Sequence, residues 1–268
     1  MPGFWFTMAV TLFWLAAIVL VPLGVLVYRG VSVGPEQAWK ILSAPRVVSS
    51  LWLSLWVSLV AAALTMVIGL LIAWVLVRYR FPGRRLVDAL IDLPIALPTA
   101  VAGIALTTLY APNGWLGAPL ASLGIKVAFT PIGIILALIF IGLPFVVRSV
   151  QPVLEHLDPV LEEAAGSMGA SPWQVFVHVI FPQLLPALIA GGVMAAARGF
   201  GEYGSVVFIA GNMPFFTEIA PLQIISRLEE YDFAAATLIA LAMIVMSLVL
   251  LWAGNMLQVW STRVAGQA

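Results

Sequence analysis

The stretch LDPVLEEAAGSMGASPWQVFVHVIFPQLLP, residues 157–186, contains most of a polar segment, 151–182, in a chain that is otherwise almost entirely apolar. Four of the twelve carboxylates lie between Glu155 and Glu163, and both histidines lie in the polar segment. Long apolar runs precede and follow it. This contrast predicts that the other helices hold the polar segment at a membrane surface, where a partner can act on it.

Composition excludes several classes of protein. Hydrophobic residues make up 63% of the 268 and charged residues 9%, whereas soluble domains are about half apolar and about a quarter charged. A soluble domain of this size cannot bury so much apolar surface, so lipid must surround most of the chain. The zero net charge argues against a nucleic-acid-binding stripe. The absence of cysteine excludes disulfides and thiolate metal sites.

Six apolar runs are long enough for a helix to cross a bilayer core, which takes about 20 residues. Each must be helical because lipid offers no partner to unpaired backbone groups. No Lys or Arg precedes Arg29, so the first run lacks the basic start of a cleavable signal peptide and is expected to be retained. The sequence therefore predicts an all-α membrane protein that forms one domain over 1–268. The predicted spans are 7–28, 51–77, 88–110, 130–150, 183–210 and 233–257.

Orientation follows from the most compact basic loop, RYRFPGRRLV at 78–87, which holds four arginines. Short loops rich in arginine stay on the cytoplasmic side of a membrane. The number of intervening spans then places both chain termini and the polar segment in the cytoplasm.

The polar segment carries the start and stop signals of two helices. Asp158-Pro159 predicts a helix start, with Asp as the N-cap and Pro at the first position. Gly166 and Gly169 offer its end. Ser171-Pro172-Trp173-Gln174 predicts a second start with a capping box. The apolar residues from Leu157 to Met168 follow helical spacing but are too few to cross a bilayer, so this first helix is either an amphipathic connector on the membrane or a docking element.

The same segment resembles the signature of ABC importer permeases, which reads Glu-Ala-Ala, three residues, Gly, nine residues, Ile-x-Leu-Pro. Here Val179 stands for Ile and Phe181 for Leu, and both substitutions keep an apolar residue. The resemblance implies a coupling helix that seats in a cytoplasmic ATPase subunit. The residues that it assigns to this role are Glu162, Glu163, Ala164, Ala165, Gly169 and Pro182.

No motif supports catalysis by the chain itself. It has no GxxxxGK[ST] phosphate loop, and its two lysines, Lys40 and Lys126, do not follow a suitable glycine. His156 and His178 are not spaced as a metal-binding pair. We therefore expect no catalytic residue, no metal and no bound cofactor in this chain, with ATP and Mg²⁺ held by a partner ATPase.

Ionisable residues inside a predicted span are costly and are candidates for a solute pathway. Arg198 and Glu202 lie four residues apart in ARGFGEYGSV (197–206). They either close the helix bundle as a neutral pair or line an anion path, where Arg198 offers a bidentate partner. Thr99 and Gly103 follow two prolines in the third span. Those prolines indicate either a broken transporter helix or a kink required for packing.

Arg148 lies at the inner end of the fourth predicted span, after Gly142-Leu143-Pro144. A long cationic side chain at a span end usually extends toward the membrane interface, and we expect this of Arg148.

Four further stretches, 97–115, 126–154, 197–214 and 228–237, look like the T-type permease subunit of bacterial sulfate/thiosulfate ABC importers. The resemblance implies a MetI-like, type I permease fold in the bacterial inner membrane. It also implies a heterodimer with a sister permease subunit, two copies of an ABC ATPase subunit and a soluble sulfate/thiosulfate-binding protein on the outer side. The implied activity is import of sulfate or thiosulfate by alternating access.

Three alternatives stay open from sequence. Molybdate/tungstate permeases share the Arg-x-x-Gly-Glu-aromatic-Gly pattern found at 198–204. A stand-alone ion-coupled anion transporter needs its own coupling-ion site and often has inverted repeats, and we find neither. A membrane scaffold without transport activity leaves the crowded prolines and the Arg198–Glu202 pair unexplained.

Overall fold

The computed structural model describes residues 3–265, and side chains up to residue 262. Every regular element in this part of the chain is a helix. The elements are α1 (Phe4–Ser32), α2 (Pro35–Leu42), α3 (Pro45–Arg78), α4 (Arg84–Ile91), α5 (Leu93–Ala96), α6 (Thr99–Tyr110), α7 (Gly117–Ser122), α8 (Pro131–Glu155), α9 (Pro159–Ser167), α10 (Pro172–Phe200), α11 (Val206–Ala210), α12 (Ala220–Glu229) and α13 (Phe233–Ala265). Prolines occupy the first turn of many of them, where a missing N–H costs no hydrogen bond.

Five of these helices, α1, α3, α8, α10 and α13, are long and apolar enough to cross a membrane. They correspond to five of the six predicted spans, and the chain is a multi-pass membrane protein. The all-α prediction is confirmed for the residues that the structure describes.

The third predicted span, 88–110, is not one continuous helix. It is divided among α4, α5 and α6, with breaks at Asp92 and at Leu97-Pro98. Leu97 is extended, with ψ of 138°, because the ring of a following proline disfavours the helical conformation. The apolar helix that remains, α6, has 12 residues.

The fifth predicted span, 183–210, also has different bounds. α10 begins earlier, at Pro172, so the end of the polar segment is the first part of a membrane helix. It stops at Phe200, and α11 is a separate helix of 5 residues. The glycines at 199, 201 and 204 disfavour continuation, so Arg198 lies in the last turn of α10 and Glu202 lies beyond it.

The core forms where α3, α8 and α10 pack against one another, with α13 along α10. Half of the residues in the most apolar 18-residue stretch of α8 are buried. Small residues allow the close approach of these helices: a Cβ added to Gly191 of α10 would lie 2.8 Å from the Val146 Cα of α8. The core therefore depends on backbone proximity as much as on large side chains.

Helix α1, unlike the other four long helices, has no buried residue in its most apolar 18-residue stretch. It touches the rest of the chain near Gly30, where an added Cβ would lie 2.1 Å from Leu241 Cδ1 of α13. Its remaining apolar surface is free to face lipid or another subunit.

Candidate functional site in the polar segment and at the α6–α11 crossing

The polar segment folds as a short helix, a glycine turn and the start of α10. The Asp158 carboxylate accepts a hydrogen bond from the Val160 N–H at 3.0 Å, which caps α9. Ser171 and Gln174 form a reciprocal capping box: the Ser171 N–H donates to Gln174 Oε1 at 2.8 Å and the Gln174 N–H donates to Ser171 Oγ at 3.4 Å. Both predicted helix starts are confirmed.

Gly169 forms the turn between the two helices. Its φ of +87° lies in the left-handed region, which costs a residue with a side chain about 1–2 kcal/mol. Nothing lies within 4 Å of a Cβ added there, so the turn is open toward solvent and the constraint is purely conformational.

The predicted coupling residues do not share one environment. Glu163 and Ala164 are exposed, whereas Ala165 is buried. Glu163 makes no ion pair within residues 3–262. Four large apolar side chains of the same segment are also exposed, which is typical of a contact surface rather than of a solvated loop. They are Val160, Leu161, Met168 and Trp173.

Glu162 differs from its neighbour because it is engaged within the chain. Its carboxylate accepts a hydrogen bond from Arg78, the last residue of α3. The Arg78 guanidinium also lies over the Trp74 ring, 5.1 Å from the centroid, and Trp74 packs edge-on against Phe176 of α10 with centroids 5.3 Å apart. The sequence prediction used Arg78 only for orientation; the four-residue spacing of Trp74 and Arg78 could have indicated the cation–π contact.

Pro182 lies inside α10 rather than before it. The turn that precedes it, Phe176–Ile180, is wider than an α-helical turn. A proline removes one backbone N–H and its ring collides with the carbonyl four residues earlier, and a widened turn accommodates both effects. Pro182 therefore shapes the junction between the polar segment and the membrane helix.

The four predicted pathway residues come together where α6 crosses the chain between α10 and α11. A Cβ added to Gly103 would lie 2.4 Å from the Ser205 carbonyl oxygen, and one added to Gly204 would lie 2.1 Å from Thr99 Oγ1. The backbone that carries Glu202 thus lies directly on α6. Residues that are about 100 positions apart in the sequence form one crossing.

Arg198 and Glu202 are ion-paired at this crossing. Glu202 also accepts hydrogen bonds from the Ser205 N–H at 3.0 Å and from Ser205 Oγ at 3.2 Å. The Glu202 side chain is 2% exposed and the Arg198 side chain 41%. The carboxylate is therefore buried and satisfied, whereas the Arg198 side chain, which donates to Glu202, is partly exposed.

Arg148 is partly exposed and is bonded to two carboxylates of the same chain, a pairing that was not predicted. It donates to both carboxylate oxygens of Asp92, from Nε at 2.9 Å and Nη2 at 2.6 Å, and to Asp88 Oδ1 at 2.7 Å. The helices α4 and α5 are held against α8 by these bonds. The acidic side chains of the broken third span thus have a partner that could not be identified from spacing alone.

A further long-range ion pair joins Arg46, near the N-terminal end of α3, to Glu218. Arg46 donates from Nε to Glu218 Oε2 at 2.8 Å and from Nη2 to Oε1 at 2.6 Å. The Ala220 N–H donates to Ser54 Oγ at 2.8 Å. These bonds fix the start of α12 to α3, and the sequence prediction missed them because 172 residues separate the pair.

Residues 65–263 match the model of the family described as "Binding-protein-dependent transport system inner membrane component". The chain belongs to this family. Its relatives include the "Sulfate transport system permease protein CysT" of Escherichia coli (strain K12), 47% identical over 96% of this chain and 93% of that protein. A "Probable sulfate transport system permease protein cysT" of Nephroselmis olivacea is also 47% identical, over 96% of this chain and 91% of that protein.

Solved structures share the fold of this family. A chain of a bacterial ABC transporter that imports the acidic polysaccharide alginate has a TM-score of 0.76 and 17% identity, covering 95% of both chains. A chain of the MetNI methionine ABC transporter in an inward-facing conformation has a TM-score of 0.61 and 20% identity, covering 81% of this chain and 96% of that chain. The expected MetI-like importer fold is confirmed.

Proposed function

We propose that the chain is a transmembrane permease subunit of an ABC importer that carries sulfate into the cytoplasm. The observation that carries this proposal is the 47% identity to sulfate permeases along almost the whole chain. The expected resemblance to permeases of this type, made from short motifs, is confirmed over 96% of the sequence. Thiosulfate is a second substrate in this proposal, because it is a tetrahedral dianion of similar size.

The energy for import comes from a separate ATPase. The polar segment supplies the docking surface: Glu163 binds a basic group of the ATPase, Ala164 permits close approach, and Gly169 turns the chain away. ATP and Mg²⁺ belong to that subunit, and this chain carries no cofactor and no catalytic residue. The exposed Glu163 side chain and the exposed apolar residues of the same segment support this assignment.

The α6–α11 crossing borders the solute path in this proposal. Arg198 provides N–H donors to the passing oxyanion, and Thr99 and Gly103 keep the surface beside it small. Since Glu202 neutralises Arg198, the site attracts an anion without binding it tightly, which suits a pathway from which the ion must leave.

The assembled importer contains this chain and a sister permease subunit, two ATPase copies on the cytoplasmic side and a soluble sulfate/thiosulfate-binding protein on the outer side. The exposed helix α1 supports a second membrane subunit or lipid as its neighbour. The chain lies in the bacterial inner membrane with both termini in the cytoplasm, as the arginine-rich loop at 78–85 indicates.

A molybdate/tungstate permease is the second candidate, because the crossing offers no contact that distinguishes one tetrahedral dianion from another. Uptake by the assembled transporter in vesicles separates the candidates. Labelled sulfate, thiosulfate and molybdate are supplied in turn with the binding protein, with and without ATP inside the vesicles. We expect ATP-dependent uptake of sulfate and thiosulfate; uptake of molybdate alone, or uptake that needs no ATP, contradicts the proposal.

A further inference from the structure

Helix α3 is bonded at both ends to elements outside the core. It has 34 residues, so it is about 50 Å long at about 1.5 Å per residue. At its N-terminal end Arg46 binds Glu218 just before α12, and at its C-terminal end Arg78 binds Glu162 of α9. These two pairs connect the two opposite ends of the membrane domain through one continuous helix.

The two ends differ in strength. At the N-terminal end the Glu218 side chain is 1% exposed and takes both of its bonds from one guanidinium, and Ser54 adds a bond to the backbone of α12. Arg46 and Arg78 are similarly exposed, at 30% and 29%, so the two ends differ in the carboxylate: Glu162 at the C-terminal end is 26% exposed. Removing the counter-ion of a buried carboxylate is costly, whereas an ion pair between two partly exposed side chains is weaker.

Helix α9 continues in the chain into α8 and α10, but not into α3. Movement of α9 therefore reaches α8 and α10 through the backbone, whereas it reaches α3 through side chains. Arg78 donates to Glu162 while lying over Trp74, and Trp74 contacts Phe176, the first residue of the widened turn of α10. Arg78 thus stands where α3, α9 and α10 meet.

We infer that Arg78 is a positioning residue for transport: its ion pair with Glu162 transmits displacement of α9 to α3, and the Arg46–Glu218 pair passes the movement of α3 to α12. This inference rests on the proposed function and deepens it. It divides the two adjacent carboxylates of the polar segment by role, with Glu163 facing the ATPase and Glu162 facing α3.

The test uses the complete transporter, with its ATPase and binding protein, in vesicles. The variants are Arg78→Glu, Glu162→Arg and the double variant with the charges exchanged. Each single variant is expected to raise the ATP hydrolysed per sulfate imported by about two- to fivefold, the equilibrium effect of one exposed ion pair. The exchanged pair is expected to restore the ratio. Unchanged ratios in the single variants, or no restoration in the double variant, overturn the inference.

Arg80→Gln is the matched control, since Arg80 is an exposed arginine of the same loop and forms no ion pair within residues 3–262. We expect this variant to hydrolyse as much ATP per sulfate imported as the unmodified chain. An equal loss of coupling in Arg80→Gln shows that loop charge alone matters and overturns the assignment to Arg78.

A second measurement applies if charge reversal prevents assembly. The chain contains no cysteine, so Arg78→Cys with Glu162→Cys can be joined by a bifunctional thiol reagent in an importer whose other subunits lack cysteine. Linking is expected to restore the coupling ratio that the unlinked pair has lost. A linked pair that stays uncoupled overturns the inference.

Glu163→Ala separates the two proposals. If this variant leaves ATPase binding intact, the proposed docking surface is wrong. If Glu163→Ala weakens ATPase binding but the Arg78 variants have no effect, only the present inference is rejected.

Discussion

Gly103 of α6 lies directly against the backbone of Ser205, so that an added Cβ would stand 2.4 Å from the Ser205 carbonyl oxygen. Backbone atoms cannot move aside as a flexible side chain can. This contact holds the segment that carries Glu202 against the helix that carries Thr99. The close approach of α6 to this segment therefore requires a glycine at position 103, in addition to the Arg198–Glu202 ion pair.

Gly103→Ala should separate α6 from the 202–205 segment. We expect a loss of stability of about 1–3 kcal/mol, typical of overpacking, and reduced sulfate uptake. Thermal unfolding in detergent and uptake in vesicles measure the two effects. Gly24→Ala in α1, where nothing lies within 4 Å of the added Cβ, is the control and should change neither. An unaffected Gly103→Ala variant contradicts the close contact.

Arg198→Lys tests whether the guanidinium serves the anion or only Glu202. Lysine keeps the charge beside the buried carboxylate, so the transporter should assemble with little loss of stability. It loses the planar, bidentate donor pair, and we expect sulfate uptake to fall by on the order of tenfold, or ~1.4 kcal/mol. Normal uptake by a stable Arg198→Lys importer assigns the pair to packing alone. Arg198→Gln, which leaves Glu202 buried without a counter-ion, should instead destabilise by ~3–5 kcal/mol.

The two ends of α3 should respond differently to loss of charge. Arg46→Gln leaves Glu218 buried and unpaired, which costs about 3–5 kcal/mol, whereas Arg78→Gln removes an exposed pair worth about 0–1 kcal/mol. Unfolding temperatures of the two variants in the same detergent compare these costs directly. Similar shifts in both variants are incompatible with the difference in burial.

Gly166 and Gly169 lie three residues apart in the polar segment, so Gly166→Ala is a matched control for Gly169→Ala. Both glycines have open space around an added Cβ, but only Gly169 has a positive φ. Alanine at 169 should cost about 1–2 kcal/mol and shift the turn, lowering ATPase binding to the membrane subunits. Alanine at 166, inside α9, should be neutral or stabilising by about 0.5–1 kcal/mol. Co-purification of the ATPase measures binding, and equal behaviour of the two variants contradicts a role for the turn.

The local features of this chain followed from its sequence. The caps at Asp158 and Ser171, and five long apolar helices, were predictable because they depend on neighbouring residues and on the length of apolar runs. Prolines near Asp92 indicated a broken third span. The exact division into α4, α5 and α6 depends on tertiary contacts, such as the bonds from Arg148 to Asp88 and Asp92. The end of α10 at Phe200 was missed because the apolar run continues to Ala210.

Sequence alone determined that the chain lies in lipid and that its polar segment is a helix, a turn and a second helix, because hydrophobic length and capping act over a few residues. Only the tertiary structure decided the partner of each charge: Arg78 with Glu162, Arg148 with Asp92, and Arg46 with Glu218. It also separated Glu162 from Glu163, which no spacing distinguishes. Pairing across 56 to 172 positions depends on how the helices pack, and that packing is a property of the whole chain.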